Sequence, residues 1–181
     1  MMFVSLGLGT LLALALITTV SLLTSGRATP TGQSTTTLPN ALVGQSVAGF
    51  HVAGLDGAQI GAPYAAGHPT VLIFFASWCG PCQAEMPKVS AYLRSHHEGP
   101  VQVIGVDTND QRASALQFVH RVGATFPIVF DANTNVSNGI FQLQALPDTV
   151  FVNAKGVVTQ IYIGAIPTTT LAHDIAVLAR S

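Results

Sequence analysis

At 181 residues, with 7 Lys plus Arg against 8 Asp plus Glu and a formal net charge of −1, the chain has room for one ordinary domain plus an extension and no basic surface for nucleic acid. Its 2 cysteines stand at positions 79 and 82, too few and too close together for a disulfide scaffold that closes large loops. The 6 histidines are scattered at 51, 68, 96, 97, 120 and 173 and complete no tetrahedral zinc set with the cysteines, so no metal is expected. Gln83 stands where attachment of a c-type haem would require His, and no other cofactor is indicated.

Residues 3–23 hold no charged side chain and come close to the length that crosses a bilayer as a helix. Two readings fit residues 1–23: a secretory signal peptide that is removed, or an uncleaved N-terminal membrane anchor. The length and the lack of an Ala-x-Ala site favour the anchor. Arg27, beyond a stretch that no Lys or Arg precedes, pulls weakly the other way. Residues 24–40 are rich in Thr, Ser, Gly and Pro without periodicity and read as a flexible linker. The folded domain is expected over residues 41–181.

Within that domain, 50–60 alternates weakly around Asp56-Gly57, a hairpin turn between two short strands. Val71-Leu72-Ile73-Phe74-Phe75 is a continuous apolar run, suited to a central strand buried on both faces. Met86, Val89 and Leu93 then recur at helical spacing, with Pro81 in the first turn, where its missing N–H costs nothing, and Pro87 placed to kink the helix. A second buried strand spans 101–106, Ala115, Phe118, Val119 and Val122 mark a helix, and 128–130 reads as a short strand. A hairpin follows over 149–153 and 157–163, turning at Ala154-Lys155-Gly156. Leu171, Ile175 and Leu178 place a last helix, expected to be opened by a Thr near Thr168. The order is that of an α/β domain with a mixed central sheet flanked by helices.

Two cysteines at i and i+3, after a buried strand and at a helix start, can close a small disulfide ring. Free N–H groups and the helix dipole favour a thiolate on the first, so Cys79 is expected to be the exposed nucleophile. Cys82, one turn in and on the side of Met86 and Val89, is expected to be the shielded resolving thiol. Exchange would then run through a mixed disulfide on Cys79 that Cys82 attacks. Trp78 would cover one side of the pair. Against this stands the plainer reading of two reduced structural cysteines.

Residues 71–87, Val-Leu-Ile-Phe-Phe-Ala-Ser-Trp-Cys-Gly-Pro-Cys-Gln-Ala-Glu-Met-Pro, resemble the active-site segment of the TlpA/ResA-like thioredoxins, which are membrane-tethered, extracytoplasmic thiol–disulfide oxidoreductases. The resemblance extends over residues 45–180 and includes Leu-Pro-Asp-Thr-Val-Phe-Val-Asn at 146–153. It implies a thioredoxin-like fold, here with an added N-terminal hairpin, and a redox-active disulfide between Cys79 and Cys82. It also implies a helix-kinking Pro87 and a cis-proline at Pro147, with the backbone of Leu146 pairing with bound substrate. Cytoplasmic thioredoxins carry a buried Asp five residues before the Trp; that position is Ile73 here, which moves no proton. Glu85 matches instead the acidic residue of the TlpA/ResA-like proteins. Its i, i+3 spacing puts it on the side of Cys82, where it could take that thiol's proton; the plainer reading is a solvated carboxylate at a helix start. Asp148 departs from the family's usual Thr, and a carboxylate near Cys79 would oppose the thiolate.

The resemblance implies an enzyme that reduces disulfides of exported proteins, as in cytochrome c maturation, at the outer face of the cell membrane or after secretion. Its expected partners are protein thiols and disulfides, a membrane electron-donor protein and, through the N-terminal segment, the membrane itself. An oxidase or isomerase of the same fold, a peroxiredoxin-like peroxidase and a non-enzymatic peptide-binding module are the competing readings.

Overall fold

The computed structural model describes residues 41–181, so the expected anchor or signal peptide at 1–23 and the linker at 24–40 lie outside the described residues. The described chain runs β1 (His51–Ala53), β2 (Gln59–Gly61), a 3-10 turn (Pro63–Ala66), β3 (Thr70–Phe75), α1 (Gly80–Ser95), β4 (Gln102–Thr108), α2 (Arg112–Val122), β5 (Ile128–Asp131), a π-helical turn (Asn135–Ile140), β6 (Asp148–Val152), β7 (Val158–Ile163) and α3 (Thr168–Leu178). No helix among the described residues is long and apolar enough to cross a membrane.

Five strands form one sheet in the order β5-β4-β3-β6-β7. β3, β4 and β5 are parallel, whereas β6 runs antiparallel to β3 and β7 antiparallel to β6. The apolar run at 70–75 takes the centre because all six of its residues are buried. Strand alternation then divides the core in two. Val71, Ile73 and Phe75 pack on one face with Cys82, Met86 and Val89 of α1, Phe118 of α2 and Leu171 and Ile175 of α3. Leu72 and Phe74 face the other way, against Tyr64, Val106, Phe141 and Val150. This is the mixed, helix-flanked sheet expected of a thioredoxin-like domain.

The added hairpin is β1 and β2, paired antiparallel from His51 opposite Gly61 to Ala53 opposite Gln59. Gly57 supplies the positive φ (87°) that its turn requires. The hairpin docks on β5 through the amide of Leu55, which donates to Ile128 O at 2.9 Å. α1 continues through Pro87, whose ring leaves one backbone carbonyl of the preceding turn without its usual donor. α3 corrects a boundary expectation: Pro167 is its N-cap residue, Thr168 is the first helical residue, and no side chain caps it. Pro167 enters the helix in extended conformation (φ −62°, ψ 139°) and its carbonyl accepts the Leu171 N–H at 2.9 Å, the first bond of the helix.

Candidate functional site

The buried end of β3 passes into the turn 76–79, closed by the amide of Cys79 donating to Ala76 O at 3.2 Å. Cys79 is the N-cap residue of α1, in extended conformation (φ −80°, ψ 111°), and its sulfur accepts the Cys82 N–H at 3.2 Å. A helix N-terminus leaves such N–H groups free, so the first cysteine sits where negative charge is favoured. Pro81 occupies the first turn. Cys79 and Cys82 are joined as a disulfide, with Cα atoms 5.2 Å apart.

Cys79 is 5% exposed and Cys82 fully buried. The order of accessibility is the expected one, but Cys79 is not an open surface group. It lies in the buried cluster that contains Ala76, Cys82 and Ile166, with Leu146 packed against it. The Leu146–Pro147 peptide bond is cis, as the resemblance implies, and Pro147 O accepts the Gly164 N–H at 2.9 Å. Trp78 is 59% exposed and is anchored rather than loose: its indole Nε1 donates to Asn109 O at 2.9 Å. Trp78 and Leu146 line a cleft of about 240 Å³ whose other walls include Asn109, Thr134, Asn138 and Gln144. That is smaller than the pockets of about 300–1,000 Å³ that enclose drug-sized ligands, and suits an inserted side chain or strand edge better than a cofactor. No charged side chain lines it.

Glu85 is not the solvated helix-start carboxylate of the plainer reading. It is 4% exposed, its Oε1 accepts the Ile166 N–H at 2.6 Å, and its Oε2 is buried with no hydrogen-bond partner. Burial pushes its pKa up from 4.5 to about 7, the Ile166 N–H pulls downward, and the negative Asp148 adds to the rise. A carboxyl three residues after Cys82 is therefore poised to change protonation near neutrality, which is what a group exchanging a proton with a thiol requires. Asp148 is itself buried, with Oδ1 accepting the Gly164 N–H at 3.2 Å, and burial raises its pKa to about 6. The turn after β7 thus holds both carboxyls, Asp148 at Gly164 and Glu85 at Ile166.

A second set of contacts, absent from the sequence reading, fixes the redox turn from the end of β4. Asp110 Oδ2 accepts the Ser77 N–H at 2.5 Å and its Oδ1 the Gln111 N–H at 2.6 Å. With the Asn109–Trp78 bond, residues 109–110 hold the turn at two successive residues, Ser77 and Trp78. Asn109 adopts a positive φ of 50°, uncommon outside glycine and concentrated at functional positions. Asp107 lies beneath, fully buried opposite Phe75. Burial and then the neighbouring Asp110 push its pKa to about 8, while Arg112 opposes the rise. Ile163, 63% exposed and opposite Asp148, also escaped the sequence reading. One signal could have located 109–110: they are turn residues at the carboxyl end of a parallel strand, where α/β sheets place their sites. Among the described residues no cluster of His, Cys, Asp and Glu could hold a metal ion.

Residues 43–161 match the model of the AhpC/TSA family. The chain is 30% identical over 124 residues to the protein named Thiol-disulfide oxidoreductase ResA of Halalkalibacterium halodurans, covering 68% of this chain and 70% of that one. Among solved structures it superposes on MTB dsbF in its mixed oxidized and reduced forms with a TM-score of 0.64 and 29% identity, over 71% of this chain and 94% of that one. It also superposes on a secreted Mycobacterium tuberculosis disulfide oxidoreductase homologous to E. coli DsbE, with a TM-score of 0.63 and 26% identity over 71% and 96% of the two chains.

Proposed function

We propose that this chain, which belongs to the AhpC/TSA family and is a thiol–disulfide oxidoreductase of the ResA-like kind, reduces disulfides of exported proteins by way of a mixed disulfide on Cys79. The observation that carries the reading is Glu85, a buried carboxyl with one free oxygen on the same helix as Cys82 and a pKa pushed to about 7. A structural disulfide has no use for such a group, which costs folding energy whenever it ionises. A resolving thiol that must lose its proton to attack does have a use for it.

In the proposed cycle the Cys79 thiolate, favoured by the N-terminus of α1, attacks one sulfur of the substrate disulfide and expels the other as a thiolate. Glu85 then takes the proton of Cys82. The Cys82 thiolate attacks Cys79, restores the Cys79–Cys82 bond and releases the second substrate sulfur, so the protein is oxidised by two electrons and the substrate reduced by two. Leu146, next to cis-Pro147, offers backbone to an extended substrate segment, and Trp78 forms the opposite wall. The domain would act outside the cytoplasm, where substrate disulfides persist, tethered by residues 1–23 and recharged by a membrane electron-donor protein. Cytochrome c maturation is the process that fits this set of roles.

Cys82→Ser tests the roles directly: the stalled mixed disulfide on Cys79 can be isolated and its partner identified. Trapping by Cys79→Ser and none by Cys82→Ser would invert the assignment. The reduction potential of the pair tests direction, a value near −270 mV agreeing with a reductant and one near −120 mV with an oxidase. Peroxide consumption coupled to Cys79 would favour the peroxidase reading.

A further inference from the structure

The geometry points to a proton port separate from the substrate cleft: Glu85 passes the proton of Cys82 to water in the crevice between α1 and the turn that follows β7. This inference rests on the acid–base role proposed above for Glu85 and adds the route that the proton takes.

The crevice has a volume of about 290 Å³ and is lined by Ala84, Glu85 and Lys88 from α1 and by residues 165–168 from the turn. No residue lines both this crevice and the cleft beside Trp78. Glu85 joins the crevice to the interior. One oxygen is tied to the Ile166 N–H and the other is buried without a partner, although an unpaired buried oxygen costs on the order of 1–3 kcal/mol. A carboxyl tied at one oxygen and free at the other can receive a proton on the free one without breaking its anchor. The remaining lining is small or apolar, Ala84, Ala165, Ile166 and Pro167, with Thr168 and the exposed Lys88 as its polar members. Lys88 follows Glu85 by three residues, on the same side of the helix. Among charged groups on the packed elements, Asp148 opposes ionisation of Glu85, and Asp174 of α3 is engaged by Gln160 at 2.8 Å.

The separation has a chemical consequence. During resolution the substrate sits covalently on Cys79 and covers the cleft beside Trp78 and Leu146. A proton leaving Cys82 by that side would have to pass the bound polypeptide. Through Glu85 it leaves by a separate opening while the substrate is still attached. In balance, Cys82–SH and the Glu85 carboxylate give the Cys82 thiolate and Glu85–COOH. The thiolate forms the Cys79–Cys82 bond as the bond from Cys79 to the substrate breaks. Glu85–COOH then releases its proton to water in the crevice, and the expelled substrate thiolate takes one from bulk solvent.

Chemical rescue of the full chain tests this. The reduced protein is mixed with 5,5′-dithiobis(2-nitrobenzoate) in stopped flow. The first coloured thiolate reports attack by Cys79, and the second reports resolution by Cys82, with a leaving group that needs no proton. Glu85→Ala should slow only the second phase, by roughly 100-fold, the scale of a lost general base. Formate at high concentration should restore about tenfold by entering the crevice, and Glu85→Ser serves if the alanine variant folds poorly. Adding Ala84→Leu and Ala165→Leu, both exposed positions that narrow the crevice, should abolish the rescue and leave the first phase unchanged. Rescue that survives the two leucines, or no rescue at all of a slowed variant, overturns the port while leaving Glu85 as the base. An unslowed second phase in Glu85→Ala overturns the base itself and the port with it.

Discussion

Glu85→Gln separates what the carboxyl does for chemistry from what it does to the fold. The amide keeps an oxygen for the Ile166 N–H but cannot ionise. In the native protein the carboxyl titrates at about 7 instead of 4.5. Between these values the folded protein keeps a proton that the unfolded chain has lost, so stability falls as pH rises from about 4.5 towards 7, and the whole deficit is present above that. At about 1.4 kcal/mol per pH unit, the deficit is roughly 3 kcal/mol. The variant lacks this slope. Its stability relative to the native protein should therefore rise by about 3 kcal/mol between pH 4 and pH 8, whatever constant offset the amide N–H₂ introduces. Urea unfolding of the disulfide-bonded protein at a series of pH values measures this, with the slope of free energy on urea expected to stay the same. The same variant should resolve its mixed disulfide roughly 100-fold more slowly. Parallel pH dependences for the two proteins would refute the reasoning, because Glu85 would then ionise in the fold as it does in water.

Three other substitutions address neighbouring groups. Asp107→Asn removes a fully buried carboxyl whose pKa is pushed to about 8. By the same sign it should stabilise the protein more at pH 9 than at pH 5, by on the order of 3 kcal/mol after relaxation of the site, as urea unfolding would show. Asp148→Asn removes the negative neighbour of Glu85, so the pH profile of the second thiolate release should move to lower pH; an unchanged midpoint would mean that the two carboxyls do not communicate. Trp78→Ala removes a cleft wall anchored to Asn109 O. KM for a protein disulfide should rise about tenfold, equivalent to about 1.4 kcal/mol, with little change towards a small aromatic disulfide.

The redox pair was legible because its chemistry is local. Residues 71–82 hold an apolar run, a tight turn and cysteines at helical spacing, so the strand, the helix start and the ranking of the two thiols follow from neighbours in the chain. Spacing also put Glu85 on the side of Cys82. It did not show Glu85 buried, because the group that holds it, the Ile166 N–H, lies 81 residues away. The burial of Cys79 was hidden for a similar reason: Ile166 and Leu146 of the cluster it shares come from chain segments far along the sequence, which β6 and β7 bring to the same end of the sheet. Thr168 satisfied a local rule for helix caps, but the N-cap position fell to Pro167, which has no side-chain acceptor to offer.

By itself, then, the amino-acid sequence determined that Cys79 and Cys82 form a CxxC pair at a helix start and that a mixed α/β sheet carries it, since adjacent residues encode both. Only the tertiary structure decided the protonation chemistry. A pKa depends on what surrounds a group in space, and the surroundings of Glu85, Asp148 and Asp107 come from strands and turns distant in the chain. The grip of Asn109 and Asp110 on the redox turn belongs with them, since it forms only when β4 lies beside β3.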